Sequence, residues 1–225
     1  MNEIQFSGLT IQVIRKPYRR KMTLLARGHG PVRLLINQSL PDREVQTFLE
    51  ASKQWLEKIY LQRQALEENH PLPRFREGEK FPFLGEEREL LQYLVKPGIQ
   101  ERKFQLQLKK FYEAEAAVHI FAAVEHWSQK MSLHPSKIKI RYQKSRWGAC
   151  NSNKEITLNL KLMAAPQWVI DYVVVHELAH LKVFNHSRAF WDLVSEYLPE
   201  YKKAQHWLKE HQARLDRFFA YLMQR

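Results

Sequence analysis

Cysteine is nearly absent from this 225-residue chain: Cys150 stands alone, so no intrachain disulfide can form and a reducing compartment fits. Long apolar runs are missing too, and nothing approaches the roughly 20 residues that a membrane-spanning helix needs. The opening residues, Met1 to Phe6, have neither a basic leader nor an apolar core of signal-peptide length, which points to the cytoplasm. There is no internal repeat and no low-complexity tract. Acidic residues are in deficit, 24 against 36 Lys and Arg, leaving a net charge of +12. Such a balance favours anionic partners, nucleic acid or nucleotides among them, but says nothing about fold. What is present, 44% hydrophobic residues and six tryptophans, belongs to a folded globular protein with ample chain for a core.

The early chain reads as short strands, Leu9 to Ile14, Met22 to Ala26 and Val32 to Ile36, the last two separated by a Gly28-His29-Gly30-Pro31 turn. Arg15, Lys16, Arg19 and Arg20, with Tyr18 among them, form a basic cluster suited either to holding phosphate or to a solvated hairpin that discourages edge pairing. The second reading is preferred. Pro41 to Glu67 reads as helix, Asp42 favouring its first turn and Val45, Phe48, Leu49, Trp55, Leu56 and Ile59 forming a core-facing stripe. Prolines at 71 and 73 mark a connector from Asn69 to Arg76. A hairpin follows, Phe81 to Leu84 and Glu89 to Val95, before a break at Pro97-Gly98.

One long helix is expected from Glu101 to Met131, with Phe111, Val118, Phe121, Ala122 and Trp127 as its apolar residues. Strands are expected at Ile138 to Tyr142, Trp147 to Cys150 and Ile156 to Leu160, then a helix opened by Pro166, another from Ser187 to Tyr197, and a last one from Glu200 to Met223. The layout is α+β: a β-rich N-terminal part with one helix (1–100), a helical middle, and a C-terminal catalytic region (101–225), the two regions either separate or on one continuous core.

Chemistry concentrates in Val175-His176-Glu177-Leu178-Ala179-His180, which reads H-E-x-x-H, with His186 six residues on. Helical positions four apart lie one turn above each other, so His176 and His180 can point at one ion. Glu177 starts about 100° round the helix, within reach of a water on that ion without being a ligand. Catalytic zinc commonly takes three protein ligands and keeps a position for water, and His186 is the natural third if the chain turns back after His180. Asn185 tolerates the left-handed backbone that ends helices, and Ser187 is a good N-cap for the next one. A solvated helix face is the plain alternative, but the preceding Tyr172-Val173-Val174-Val175 marks a buried helix, where unpaired polar groups are costly.

Zinc on three imidazoles supplies a Lewis acid and an acidified water, and Glu177 a general base, a combination that hydrolyses peptide bonds above all. Arg146 and Lys144 are the nearest candidates in sequence to stabilise an oxyanion. Ile156 to Leu160 could offer a sheet edge to a peptide substrate. Two other readings use the positive charge: a metal-dependent nucleotide pyrophosphatase, and a nucleic-acid-binding protein with a structural zinc. An intact Glu177 speaks against the last.

The run Arg146-Trp147-Gly148-Ala149-Cys150, then Ile156 to Asn159, Pro166, Tyr172 to Leu181, Asn185-His186-Ser187 and Phe190-Trp191, resembles the YgjP-like metal-dependent hydrolases, relatives of the SprT and WLM metallopeptidases of the zincin group. The early strands, the first-helix tryptophan and Phe83-Leu84-Gly85 extend the resemblance over nearly the whole chain. It implies a zincin-like C-terminal unit with a small sheet, His176, His180 and His186 as zinc ligands, Glu177 as acid/base, and a peptide or protein substrate. The family usually carries serine where this chain has Ala149. The spacing of His180 to His186 matches the metzincins as well, but Val183 stands in place of their glycine and no Met-turn follows.

Overall fold

The computed structural model describes residues 3–26, 30–73, 78–89 and 101–224. The chain divides into two units, Met1–Leu72 and Pro73–Arg225.

In the first unit β1 (Glu3–Phe6), β2 (Leu9–Lys16), β3 (Thr23–Leu25) and β4 (Val32–Asn37) form a sheet in the order β1-β2-β4-β3. The alternation read in β2 and β4 is real: Leu9, Ile11, Val13, Val32, Leu34 and Ile36 all face a core closed by Val45, Leu49 and Leu56. β1 is an addition to the expected strands, and it turns into β2 through Ser7 and Gly8, both at positive φ. A Cβ on Gly8 would lie 2.7 Å from the Tyr60 ring, so that turn needs glycine on two counts.

The helix expected from Pro41 to Glu67 is two, α1 (Asp42–Ala51) and α2 (Lys53–Asn69), dislocated at Ser52. The break interrupts the apolar stripe: Leu56 stays at 0% exposure while Trp55 turns outward at 40%, a correction to its expected core position. Two residues of the basic cluster, Arg15 and Arg19, are spent on local structure. Arg15 donates to the Leu40 carbonyl at 2.8 Å and pairs with Asp42 at 2.6 Å, and Arg19 donates to Lys21 O and Thr23 Oγ1. Gly28 and His29 of the expected turn lie outside the described residues, as do Arg74 to Arg76 of the connector, the hairpin beyond Glu89 and the Pro97-Gly98 break.

The second unit begins with a hairpin, β5 (Lys80–Phe83) and β6 (Glu86–Glu89). Phe81 and Phe83 are buried in the core of this unit, against Phe104 and Tyr112. The turn residues Leu84 and Gly85 donate to the Met163 and Ala164 carbonyls, at 2.8 and 3.1 Å. Helix α3 spans Glu101–Met131 as expected, but its buried stripe is Phe104, Leu108, Tyr112, Ala116, Ile120, Val124, Trp127 and Met131. That set follows the helical repeat, so Val118 and Phe121, equally apolar, are left 63% and 41% exposed.

Strands β7 (Lys137–Arg141), β8 (Gly148–Cys150) and β9 (Glu155–Asn159) make a sheet in the order β7-β9-β8, β7 parallel and β8 antiparallel to β9. Thus β9, expected to offer a free edge, is the central strand, and β8 is an edge. A 3-10 turn, Leu160–Ala164, leads into α4 (Gln167–Ala179), which is buried almost all round and packs on α3, β8 and β9, on α5 (Arg188–Tyr197) and on α6 (Tyr201–Leu222). No helix among the described residues is long and apolar enough to cross a membrane.

Candidate metal centre

Three elements of sequence bring the histidines together. His176 lies in the last turn of α4, and His180 caps it with helical angles, φ −64° and ψ −19°. The chain then tightens, Leu181 N donating to Leu178 O and Val183 N to Ala179 O, both at 2.9 Å. Asn185 completes the bend differently from expectation. It is not among the residues at positive φ; its Oδ1 accepts from Ser187 N at 3.3 Å, a side-chain turn in place of a left-handed one. Ser187 is the N-cap residue of α5, although its side chain makes no capping hydrogen bond.

The result is a cluster in which one potential ligand atom from each of His176, His180 and His186 lies within 4.8 Å of the others. His186 Nε2 is 3.1 Å from His176 Nε2. Phe190 of α5, fully buried, is the floor: its ring centroid is 4.9, 4.6 and 4.8 Å from those of His176, His180 and His186. On the outer side of the cluster, His180 Nδ1 is 3.1 Å from the Val183 carbonyl, which can only accept, so Nδ1 carries the hydrogen and Nε2 keeps its lone pair. His176 Nδ1 faces the Tyr172 hydroxyl at 3.4 Å.

Burial, with the neighbouring His180 and His186, pushes the His176 pKa down to about 3, and burial also lowers that of His180. Neutral imidazoles converging by nitrogen are the donor set that zinc takes. The residues therefore fit the metal that the sequence pattern implies.

Glu177, one residue on, is 5% exposed and directed to β8. Its Oε2 is buried without a hydrogen-bond partner among the described residues. Burial raises its pKa to about 8, against the opposing pull of the Arg146 charge. Arg146 is exposed and acts on Glu177 through space; its backbone carbonyl accepts from Asn159 Nδ2. Asn159 also donates to Gln143 O at 2.7 Å and accepts from Gln143 N and Lys161 N, so one buried amide holds both ends of the 143–146 loop. Lys144 is exposed, and its carbonyl accepts from Lys161 Nζ at 3.5 Å. Lys161, 1% exposed, pairs with Asp216 and lies over the Trp147 ring at 4.7 Å.

Several contributors escape the sequence reading. Tyr172 is read there only as part of an apolar run, although four residues before His176 is the spacing that places it on the same face. Gln205, donating to the Tyr172 hydroxyl at 3.1 Å, comes from α6, and no local pattern announces it.

Among solved structures, the metallopeptidase zymogen abylysin of Pyrococcus abyssi is 24% identical over 41% of this chain and 95% of its own, with a TM-score of 0.38. A search of the curated proteins finds no match. The family model described as "YgjP-like, metallopeptidase domain" matches residues 86–211, more than half of the chain and the whole span from β6 through the three histidines, and the chain therefore belongs to the YgjP-like metallopeptidase family.

Proposed function

We infer that this protein is a zinc-dependent peptidase in which His176, His180 and His186 hold the metal and Glu177 is the general acid/base. The observation that carries the reading is the convergence of three imidazoles beside a buried carboxyl that has an orphaned oxygen. Zinc held there would act as a Lewis acid and bring the pKa of water toward neutrality.

The chain's own residues supply the rest. Glu177, whose pKa burial raises above the ordinary carboxylate range, is the group that takes a proton from water when ionised and returns it to the departing amine. Its dry setting strengthens every electrostatic contact it makes. Arg146, whose positive charge already acts on Glu177, is the group we assign to the developing oxyanion. The edge of β8 away from β9 supports a peptide laid alongside it as a further strand, with backbone hydrogen bonds supplying affinity.

The peptide reading is favoured over nucleotide hydrolysis by the family and by the engagement of Arg15 and Arg19 in local structure. A structural zinc in a nucleic-acid-binding protein would have no use for the buried carboxyl of Glu177. The lone cysteine fits a cytoplasmic location. The test is metal-replete wild type and Glu177→Gln assayed against a quenched peptide library and a nucleoside triphosphate panel. Peptide cleavage lost in the variant supports the reading; zinc-dependent pyrophosphate release without any peptide cleavage overturns it.

A further inference from the structure

Helix α6 contributes no candidate ligand, yet two residues of its first turns reach toward two of them. Tyr201 and Gln205 lie four apart and so share a face. The Tyr201 ring is stacked between those of Tyr172, at 6.4 Å and 17°, and Trp191, at 5.2 Å and 15°. Trp191 in turn stacks on His186 at 5.7 Å and 24°. Gln205 Nε2 donates to the Tyr172 hydroxyl at 3.1 Å, and that hydroxyl is 3.4 Å from His176 Nδ1.

The two α4 histidines differ in how their outer nitrogens are held. His180 faces a carbonyl, which dictates its tautomer. His176 faces a hydroxyl, which can donate or accept. If the hydroxyl donates to Nδ1, then Nε2 of the neutral ring carries the hydrogen and cannot be a ligand. If it accepts from Nδ1–H, the Nε2 lone pair faces His180 and His186. The group on the far side of the hydroxyl therefore matters, and Gln205 occupies that place.

We propose that Gln205 and Tyr172 form a positioning relay from α6 to His176, holding the His176 ring in the orientation that presents Nε2 to the metal. The relay rests on the reading of His176, His180 and His186 as zinc ligands. The amide of Gln205 fills one lone pair of the hydroxyl oxygen and so fixes where that oxygen lies; with Nε2 on the metal, the remaining lone pair accepts from Nδ1–H. Hydrogen-bond partners behind a ligating histidine typically contribute about 10–100-fold to metal affinity.

Zinc affinity, measured on the full chain by competition with a chromophoric chelator, tests this, with folding followed by circular dichroism. Tyr172→Phe keeps the stacked ring and removes only the hydroxyl; it should bind zinc about 10–100-fold more weakly. Gln205→Leu should weaken binding in the same sense. Gln205→Glu offers a carboxylate that accepts the Tyr172 O–H and frees the hydroxyl oxygen to accept from Nδ1–H, so it should bind at least as tightly as wild type. In a Tyr172→Phe background the Gln205 variants should be alike, an ordering that a merely structural role does not produce. His176→Ala separates the two failures. Zinc retained in that variant overturns the ligand assignment itself. Zinc lost there, but bound by Tyr172→Phe as by wild type, overturns the relay alone. Should Tyr172→Phe not fold, equal affinities for Gln205→Leu and Gln205→Glu overturn the relay equally.

Discussion

Gly148 and Glu177 meet so closely that a side chain on Gly148 has no room: a Cβ there would lie 2.5 Å from Glu177 Oε1 and 2.7 Å from its Cγ. The backbone of the edge strand therefore lies directly against the carboxyl, and glycine is required by proximity rather than by an unusual φ. Gly148→Ala should push the carboxylate aside while leaving the three histidines in place. A displacement on the order of 1 Å can cost about 100-fold in rate, so turnover should fall by that order with zinc content unchanged. Wild-type turnover in Gly148→Ala would mean that the position of Glu177 is not critical.

Glu177→Gln preserves shape and removes the base. Peptide turnover should drop about 10²–10⁴-fold while zinc stays bound. Zinc analysis and kinetics on one preparation check this; simultaneous loss of metal and activity would assign Glu177 to holding the metal.

Metal-free protein should show the cost of burying that carboxyl. Its pKa stands at about 8 in the folded chain against an ordinary 4.5, so the native state holds an extra proton between these values and stability falls as pH rises. His176, pushed from 6.5 to about 3, works the other way, with stability falling as pH drops below 6.5. The window from 6.5 to 8 thus belongs to Glu177. Across it wild-type apoprotein should lose up to about 2 kcal/mol relative to Glu177→Gln, from ~1.36 kcal/mol per pH unit. Urea titrations at both pH values test this, and a constant difference between the two proteins would contradict it.

Much of this site is legible in the sequence because helix periodicity alone aligns His176 with His180, and because the later alternation of apolar residues places β7, β8 and β9. Which strand is the edge is not legible, since pairing order depends on long-range register: β9 could offer an edge until β7 and β8 both dock on it. Trp55 reads as core by its chemistry, and Val118 and Phe121 are as apolar as the buried residues of their helix, but the face a helix buries is set by breaks such as Ser52 and by its neighbours' positions. Gln205 lies 33 residues from the tyrosine it holds, beyond the reach of any local pattern.

Asn159 connects the sheet to the loop carrying Arg146. Asn159→Ala would strand the Gln143 and Arg146 carbonyls and the Lys161 amide, at about 1–3 kcal/mol for a buried group left unpaired. At about 2–4 °C per kcal/mol for a protein of this size, the melting temperature should fall by several degrees, and peptide turnover should fall with it as Arg146 loses its place. A melting temperature within a degree of wild type would show that the loop holds itself.

The most direct test of the central claim is anomalous diffraction at the zinc absorption edge from zinc-loaded crystals. The expected result is one peak per chain at about 2.0–2.1 Å from a nitrogen of each of His176, His180 and His186, with the Glu177 carboxylate beyond bonding distance. A peak held by other residues, or no peak among these three imidazoles in zinc-loaded protein, would contradict the account.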